Sequence, residues 1–121
     1  VLVPGTHGST FGANPVSTAA GLAVMDTMDQ AFLDQVMEKG AYLRAGIQAL
    51  GCPELGDVVG MGLMLGIDVK GGRTNKELAA KLIENGLLVL TAGPSMRLLP
   101  PLVISQEEMD QGLEILKKTL S

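Results

Sequence analysis

The sequence predicts an α+β fold, in which a small, mostly antiparallel sheet is covered by helices on one face. The first observation is the order of the predicted elements, α-α-β-β-α-β-β-α. Its strands come in adjacent pairs, which argues against a doubly wound parallel sheet, where strands and helices alternate. The second is a pair of capping boxes, Thr74–Glu77 and Ser105–Glu108, which mark helix starts on either side of the second strand pair. With 121 residues, the chain can build one core but not two.

Two helices are predicted before the first strand. Asn14 is a good N-cap and Pro15 suits the first helical position, so a helix begins there. Its small-residue face predicts close packing against another element; this face consists of Val16, Ala19, Ala20, Ala23 and Val24. A second helix is predicted from about Phe32 to Leu50, because apolar residues recur near the helical period.

The strands follow in two pairs. Leu55–Val59 is a short candidate strand, and Met61–Val69 shows the clearest alternation of the chain, with glycines on one side. Those glycines indicate either a close approach by another backbone or a bulge. The second pair is predicted at Leu87–Leu90 and Met96–Leu99, around a turn over Thr91–Pro94. The last helix follows Ser105, and it turns an apolar stripe inward: Met109, Leu113, Leu116 and Leu120.

Composition excludes several classes of function. The net charge is −4, without a basic cluster and with only two Phe, one Tyr and no Trp, which argues against nucleic-acid binding. Apolar runs are broken well short of a membrane span, so no membrane segment is expected. One histidine and one cysteine without ligand spacing predict no metal site. Cys52 cannot form an internal disulfide, which fits a reducing, cytoplasmic location.

The ends and the hydropathy of the chain suggest a missing remainder. The chain starts Val-Leu-Val without an initiator Met, which we interpret as a cut in a longer protein, with Ser121 as a natural terminus. Hydrophobic residues make up 46% of the chain, at a mean hydropathy of +0.31. Either the core is tight, or part of the surface normally packs against missing protein.

Two motifs carry candidate binding chemistry. In the loop Gly8–Gly12, glycines let backbone N–H groups approach an anion and the Ser9 and Thr10 hydroxyls add donors, so the loop suits a phosphate. The alternative is a purely structural turn. Arg97 lies in an apolar strand ahead of two prolines, and burying an unpaired guanidinium costs several kcal/mol. Its partner is either an internal Asp or Glu, or a substrate carboxylate held by both arms of the guanidinium.

Several segments together resemble a known family, the class III aminotransferases that depend on pyridoxal 5′-phosphate. The segments are His7–Pro15 followed by Ala19–Leu22, then Gly60–Gly66, Gly86–Gly93 and Arg97–Leu102. They cover essentially the whole chain in order and with compatible spacing. The last two are most similar to the branch of the family that acts on N-acetylornithine.

This resemblance implies a fold-type-I enzyme of which the chain is the C-terminal part. Residues 1–31 would be the tail of the large cofactor-binding domain, and residues 32–121 would be the small C-terminal domain. Members are homodimers with active sites at the subunit interface. By resemblance, Ser9 and Thr10 reach the cofactor phosphate of the partner subunit, and Arg97 binds the α-carboxylate of the substrate and of 2-oxoglutarate.

The implied reaction moves the δ-amino group of N-acetylornithine to 2-oxoglutarate, a step of arginine biosynthesis. No catalytic residue is expected within the chain, since the Schiff-base lysine of the family lies upstream of Val1, and the chain alone is expected to be inactive. Two alternatives remain open. Another class III ω-aminotransferase would use ornithine, 4-aminobutyrate or succinylornithine, and a non-catalytic amino-acid-binding α+β module would bind its ligand as the isolated chain.

Two positions depart from the family pattern. Ala13 stands where members often have a second glycine, which we expect to be mild because alanine fits most conformations with negative φ. Val59 stands where many members have an arginine ahead of Gly-x-Gly-Leu. If that arginine normally pairs with a carboxylate, the pairing is absent or altered here.

Overall fold

The computed structural model describes residues 3, 5 and 7–120 and divides into two compact units, Val1–Leu33 and Asp34–Ser121. Val1 and Ser121, where the sequence suggests a cut and a natural terminus, lie outside the described residues. In chain order, the elements of the described part are α1 (Pro15–Thr27), α2 (Gln30–Ala49), β1 (Leu55–Met61), β2 (Met64–Val69), α3 (Asn75–Glu84), β3 (Leu90–Ala92), β4 (Ser95–Leu98) and α4 (Gln106–Leu120).

The first unit contains a short loop and α1, which starts at Pro15 as predicted. Asn14 caps the helix, because its Oδ1 accepts a hydrogen bond from the Ser17 N–H at 3.0 Å. No residue of α1 is buried, so its small-residue face lies open within the described part of the chain. The start of α2 is two residues earlier than predicted, since the Asp29 carboxylate accepts from the Phe32 N–H at 2.8 Å and caps the helix there.

The second unit is built on a four-stranded sheet in the order β1-β2-β4-β3, with every neighbouring pair antiparallel. One face of the sheet is buried against helices, and this confirms the predicted α+β class. The sheet side of this core consists of Val58, Leu65, Ile67, Met96 and Leu98. The helix side consists of Leu43, Ile47, Leu78, Ala79, Leu82, Met109, Leu116 and Leu120.

The prediction of one strand over Met61–Val69 is wrong. Met61 pairs with Met64, so Gly62 and Leu63 form a two-residue hairpin turn within the alternating run. Gly62 has φ +52, the positive value that glycine supplies at the first position of such turns. Alternation continued through the turn because two inserted residues preserve a period of two.

The glycines of this hairpin allow a close approach by other backbone, one of the two uses that the sequence left open. Gly60 has φ +121, and a Cβ there would lie 2.0 Å from the Met64 carbonyl oxygen, so no side chain fits. Gly62 packs against Gly40 of α2, and a Cβ added to Gly40 would lie only 2.1 Å from the Gly62 carbonyl oxygen. A separate bulge occurs earlier in β1, between Leu55 and Val58.

The predicted strand Leu87–Leu90 is also wrong, and β3 begins at Leu90. The chain at Leu87 closes α3 instead: the Leu87 N–H donates to the Leu82 carbonyl at 2.8 Å and the Gly86 N–H to the Ile83 carbonyl at 3.0 Å. This is the Schellman pattern, with Gly86 at φ +93. β4 begins and ends one residue earlier than predicted, at Ser95–Leu98.

Polar contacts tie the helices to the sheet. The Arg44 guanidinium of α2 donates to the carbonyl oxygens of Val58 and of Gly60, the latter at 2.7 Å. Arg73 forms a two-armed ion pair with Glu54, with Nε to Oε1 at 2.6 Å. The pair joins the turn before α3 to the segment that leads into β1, and its guanidinium lowers the pKa of the Glu54 carboxyl.

Both predicted capping boxes are present. Glu77 accepts a hydrogen bond from the Thr74 N–H at 2.7 Å, and Glu108 accepts one from the Ser105 N–H at 2.8 Å. The reciprocal bonds run from the Glu77 and Glu108 N–H groups to the two hydroxyls. These bonds favour the ionised carboxylates and lower the pKa of both glutamates.

We predict that Gly40→Ala destabilises the protein by about 1–3 kcal/mol, because the added methyl overlaps backbone that cannot move freely. Gly112→Ala is the matched control, since its Cβ would meet only the Leu87 side chain, at an ordinary 3.7 Å. Both changes place alanine in a helix interior, so the gain in helix propensity cancels. Urea unfolding of both variants measures the difference, and equal midpoints would contradict the close packing of α2 on the hairpin.

We also predict that the Glu54→Gln variant loses less unfolding free energy than the parent protein when the pH is lowered into the acid range. A lowered pKa means that the ion pair stabilises the fold above the ordinary glutamate value of 4.5, and that this stabilisation is lost as the pH falls through the folded-state value. The variant should therefore be less stable near pH 7 and its stability should depend less on pH in acid. The pKa values of Glu77 and Glu108 are lowered as well, so some dependence of stability on pH remains in the variant.

Unfolding free energies measured across the acid range, with Glu84→Gln as an exposed control outside any ion pair found in the described part, test this prediction. A Glu54→Gln profile parallel to that of the parent protein would show that the pair does not contribute.

Candidate functional site

The loop Gly8–Gly12 is open to solvent. Its residues are exposed, and it turns back through a hydrogen bond from the Gly12 N–H to the Ser9 carbonyl at 3.3 Å. Neither the Ser9 nor the Thr10 hydroxyl bonds to another residue of the described part of the first unit. The space around Gly8 is open as well, since a Cβ added there would meet no atom within 4 Å. Two hydroxyls without a partner in this described part, close to the open Gly8, fit the donor set of a phosphate.

The helix that follows contributes less to this loop than a free N-terminus would. Asn14 forms hydrogen bonds to both the helix and the loop: its Oδ1 accepts from the Ser17 N–H, and its Nδ2 donates to the Phe11 carbonyl at 2.7 Å. The Ser17 donor is thereby occupied, and Pro15 has none. The side-chain hydroxyls and loop N–H groups are therefore the main donors, and Asn14 holds the loop against the helix start.

Ala13 requires a correction. It has φ +58, the left-handed region, and it is the one non-glycine residue with positive φ among the described residues. The expectation of a mild change assumed negative φ, and it is wrong on this point. A Cβ in this region crowds the following carbonyl and costs about 1 kcal/mol, which explains why glycine suits the position.

Arg97 lies on the face of the sheet opposite the core. The register places Arg97 between Gly66 of β2 and Leu90 of β3, with Val59 beyond Gly66. These four residues form a row across the sheet, on the side away from the core, which we call the open sheet face. Gly66 has no side chain, and Cγ2 of Val59 packs over it, 3.2 Å from the position that a Cβ would take.

The guanidinium has no internal acidic partner in the part of the chain that the structure describes. Arg97 is half-buried, and its Nε is fully buried without a hydrogen-bond acceptor among residues 3, 5 and 7–120. The described residues therefore supply no internal Asp or Glu partner, which was one of the two alternatives left open by the sequence. A buried donor without an acceptor is costly, and a carboxylate ligand is one partner that would satisfy it.

The surroundings of Arg97 are apolar on one side and polar on the other. Val59 and Leu90 are both 53% exposed and Met64 is 57% exposed, so they present apolar surface beside the guanidinium. On the other side, the Ser95 hydroxyl donates to Asp68 Oδ1 at 2.8 Å. Sequence reasoning missed Asp68 and Ser95, although the period-two pattern that places Arg97 also places them on its face.

Ser9 and Thr10 belong to the first compact unit and Arg97 to the second, so the structure describes the two candidate sites separately. His7 is exposed, and Cys52 is half-buried with its Sγ 3.4 Å from the Leu120 carbonyl oxygen. No group of three or more His, Cys, Asp or Glu suited to a metal ion occurs among residues 3, 5 and 7–120. Within the same residues, no helix combines the length and apolarity needed to cross a membrane.

Comparison with known proteins places these features in a family. The sequence model described as aminotransferase class-III matches residues 1–120. The acetylornithine aminotransferase of Haemophilus ducreyi is 41% identical over 120 residues, which are 99% of this chain and 30% of that protein. Acetylornithine aminotransferase 1 of Bordetella pertussis is 45% identical over 120 residues, again 30% of its length.

Solved structures agree with the sequence matches. The acetylornithine aminotransferase of Elizabethkingia anophelis superposes with a TM-score of 0.82 at 34% identity, over 98% of this chain and 33% of that one. The ornithine aminotransferase of Toxoplasma gondii gives a TM-score of 0.78 at 34% identity, over 98% and 30%. The chain thus spans about a third of the length of the relatives that it matches. By sequence and by structure, the chain belongs to the class-III aminotransferase family.

Proposed function

We propose that the chain is the C-terminal part of a homodimeric aminotransferase that moves the δ-amino group of N-acetylornithine to 2-oxoglutarate. In this proposal, residues 1–31 complete the large domain and residues 32–121 form the small domain. The observation that carries it is the Arg97 guanidinium on the open sheet face, which has no partner among the described residues, in a chain about 40% identical to proteins named acetylornithine aminotransferase.

Pyridoxal 5′-phosphate, on which class III aminotransferases depend, supplies the electron sink that makes amino-group transfer possible. Ser9 and Thr10 would hold its phosphate across the subunit interface. Their hydroxyls are exposed and have no partner in the described part of the first unit, and the open space at Gly8 lets backbone N–H groups approach the phosphate oxygens. Asn14 fixes the loop to the start of α1, so these donors are held in place before the ligand arrives.

Arg97 would hold the carboxylate of each substrate in turn. N-acetylornithine and 2-oxoglutarate occupy the same site alternately, and each carries an α-carboxylate that Arg97 would bind. A guanidinium binds a carboxylate through two parallel N–H bonds, which fixes orientation as well as position. The exposed apolar side chains of Val59, Met64 and Leu90 would limit water around this pair and strengthen it.

In this proposal, the lysine that holds the cofactor belongs to a part of the full-length enzyme outside this chain, so this chain contributes binding and orientation rather than the reacting amine. None of its six lysines lies in a matching motif. A second candidate donor is ornithine itself, because ornithine aminotransferases match the structure with TM-scores of 0.78 and 0.79. Both candidates share the carboxylate clamp and differ in whether the α-amino group carries an acetyl group.

We predict that the full-length protein transfers an amino group from N-acetylornithine to 2-oxoglutarate faster than from ornithine, 4-aminobutyrate or succinylornithine. Values of kcat/KM for the four donors, measured by glutamate formation, test this. Preference for ornithine would support the second candidate. Absence of transfer from every donor, in protein shown to bind the cofactor, would contradict the proposed function.

We predict that Arg97→Lys in the full-length protein raises KM for both substrates by about tenfold or more, since a point charge replaces a two-armed contact. Arg73→Lys is the matched control, because Arg73 is already paired with Glu54 and should affect stability without changing KM. Unchanged KM values for Arg97→Lys, measured by steady-state kinetics, would count against the clamp.

A further inference from the structure

From the geometry of the open sheet face, we infer that Ser95 is a positioning residue, which holds the carboxylate of Asp68 away from Arg97 and so keeps the clamp available. The inference rests on the proposed function of Arg97 as a carboxylate clamp. It concerns the hydrogen bond from the Ser95 hydroxyl to Asp68 Oδ1, at 2.8 Å, which neither the sequence nor the family resemblance had indicated.

The three side chains share one face of the sheet. Gly66 lies opposite Arg97 and Ile67 lies opposite Met96 in the β2–β4 register, so the next pair along is Asp68 with Ser95. Ser95 and Arg97 are two residues apart on β4, which puts their side chains on the same side of the strand. Asp68 is therefore a diagonal cross-strand neighbour of Arg97.

Asp68 is a natural competitor for the guanidinium. Diagonal neighbours in an antiparallel pair have Cβ atoms about 7–8 Å apart, which is within reach of a long side chain such as arginine. Arg97 Nε is buried without an acceptor, so an ion pair with Asp68 would relieve a costly unpaired charge. The structure nevertheless contains no such ion pair among the described residues.

The Ser95 hydroxyl explains why the two charges stay apart. It donates to Asp68 Oδ1, a hydrogen bond to a charged acceptor, and thereby gives the carboxylate a partner of its own. Ser95 is itself held by α3, because Asn75 Nδ2 donates to the carbonyl oxygens of Ser95, at 3.1 Å, and of Gly93, at 3.0 Å. The backbone that carries this hydroxyl is thus held beside Asp68 by the start of a helix.

The test uses the full-length enzyme with its cofactor. Removal of the hydroxyl in Ser95→Ala frees Asp68 to pair with Arg97, so we expect KM for the amino donor and for 2-oxoglutarate to rise together by about three- to tenfold, with kcat within about twofold. Ser95→Thr keeps the hydroxyl and suits a strand, so its KM values should stay near those of the parent enzyme.

Asp68→Asn separates this inference from a merely structural role. In the double variant Ser95→Ala with Asp68→Asn, the competing charge is gone, and both KM values should return toward those of the parent enzyme. Asp68→Asn alone should leave KM unchanged or lower. A raised KM for Asp68→Asn alone, or a double variant no better than Ser95→Ala, would overturn the inference.

A readout independent of activity is the environment of Arg97 itself. A crystal structure of the Ser95→Ala enzyme without substrate should show the Asp68 carboxylate in salt-bridge contact with the guanidinium; an unpaired Arg97 there would overturn the inference.

The kinetics distinguish failure of the clamp from failure of the positioning role. If Arg97→Lys leaves KM unchanged, the proposed function fails. If Arg97→Lys raises KM but Ser95→Ala does not, only the role of Ser95 fails.

Discussion

The pairing of β2 with β4 is the constraint on which the rest of the structure depends. It sets Leu65 opposite Leu98 and Gly66 opposite Arg97, so that one face of the sheet enters the core and the other holds the arginine. Because side chains alternate along a strand, a slip of one residue would exchange the faces and bury the charge. The same register that builds the apolar core therefore leaves the guanidinium available to a ligand.

The helices bind the two hairpins whose inner strands, β2 and β4, form this pair. Gly40 of α2 lets the helix reach the backbone of the β1–β2 hairpin, and Arg44 binds two carbonyls of β1. At the start of α3, Asn75 binds the β3–β4 turn. The outer face carries no such scaffold among the described residues. Its exposed apolar side chains and the unburied α1 leave apolar surface uncovered in a chain that spans about a third of the length of its relatives.

Local signals in the sequence predicted the features that depend on few residues. Asn14 and the two capping boxes define helix starts through contacts within one turn, and all three are present. The class of fold followed from element order. The hairpin turn at Gly62 was missed because an insertion of two residues keeps the alternation intact. The positive φ of Ala13 and the contact between Ser95 and Asp68 depend on loop geometry and strand register, which one sequence does not specify.

The most direct measurement of the carboxylate clamp is a crystal structure of the full-length protein with a bound substrate carboxylate. We expect this carboxylate on the open sheet face, with two N–O distances of about 2.7–2.9 Å to the Arg97 guanidinium, while Ser95 remains bonded to Asp68. A substrate carboxylate bound elsewhere, with Arg97 paired to a protein side chain, would contradict the clamp.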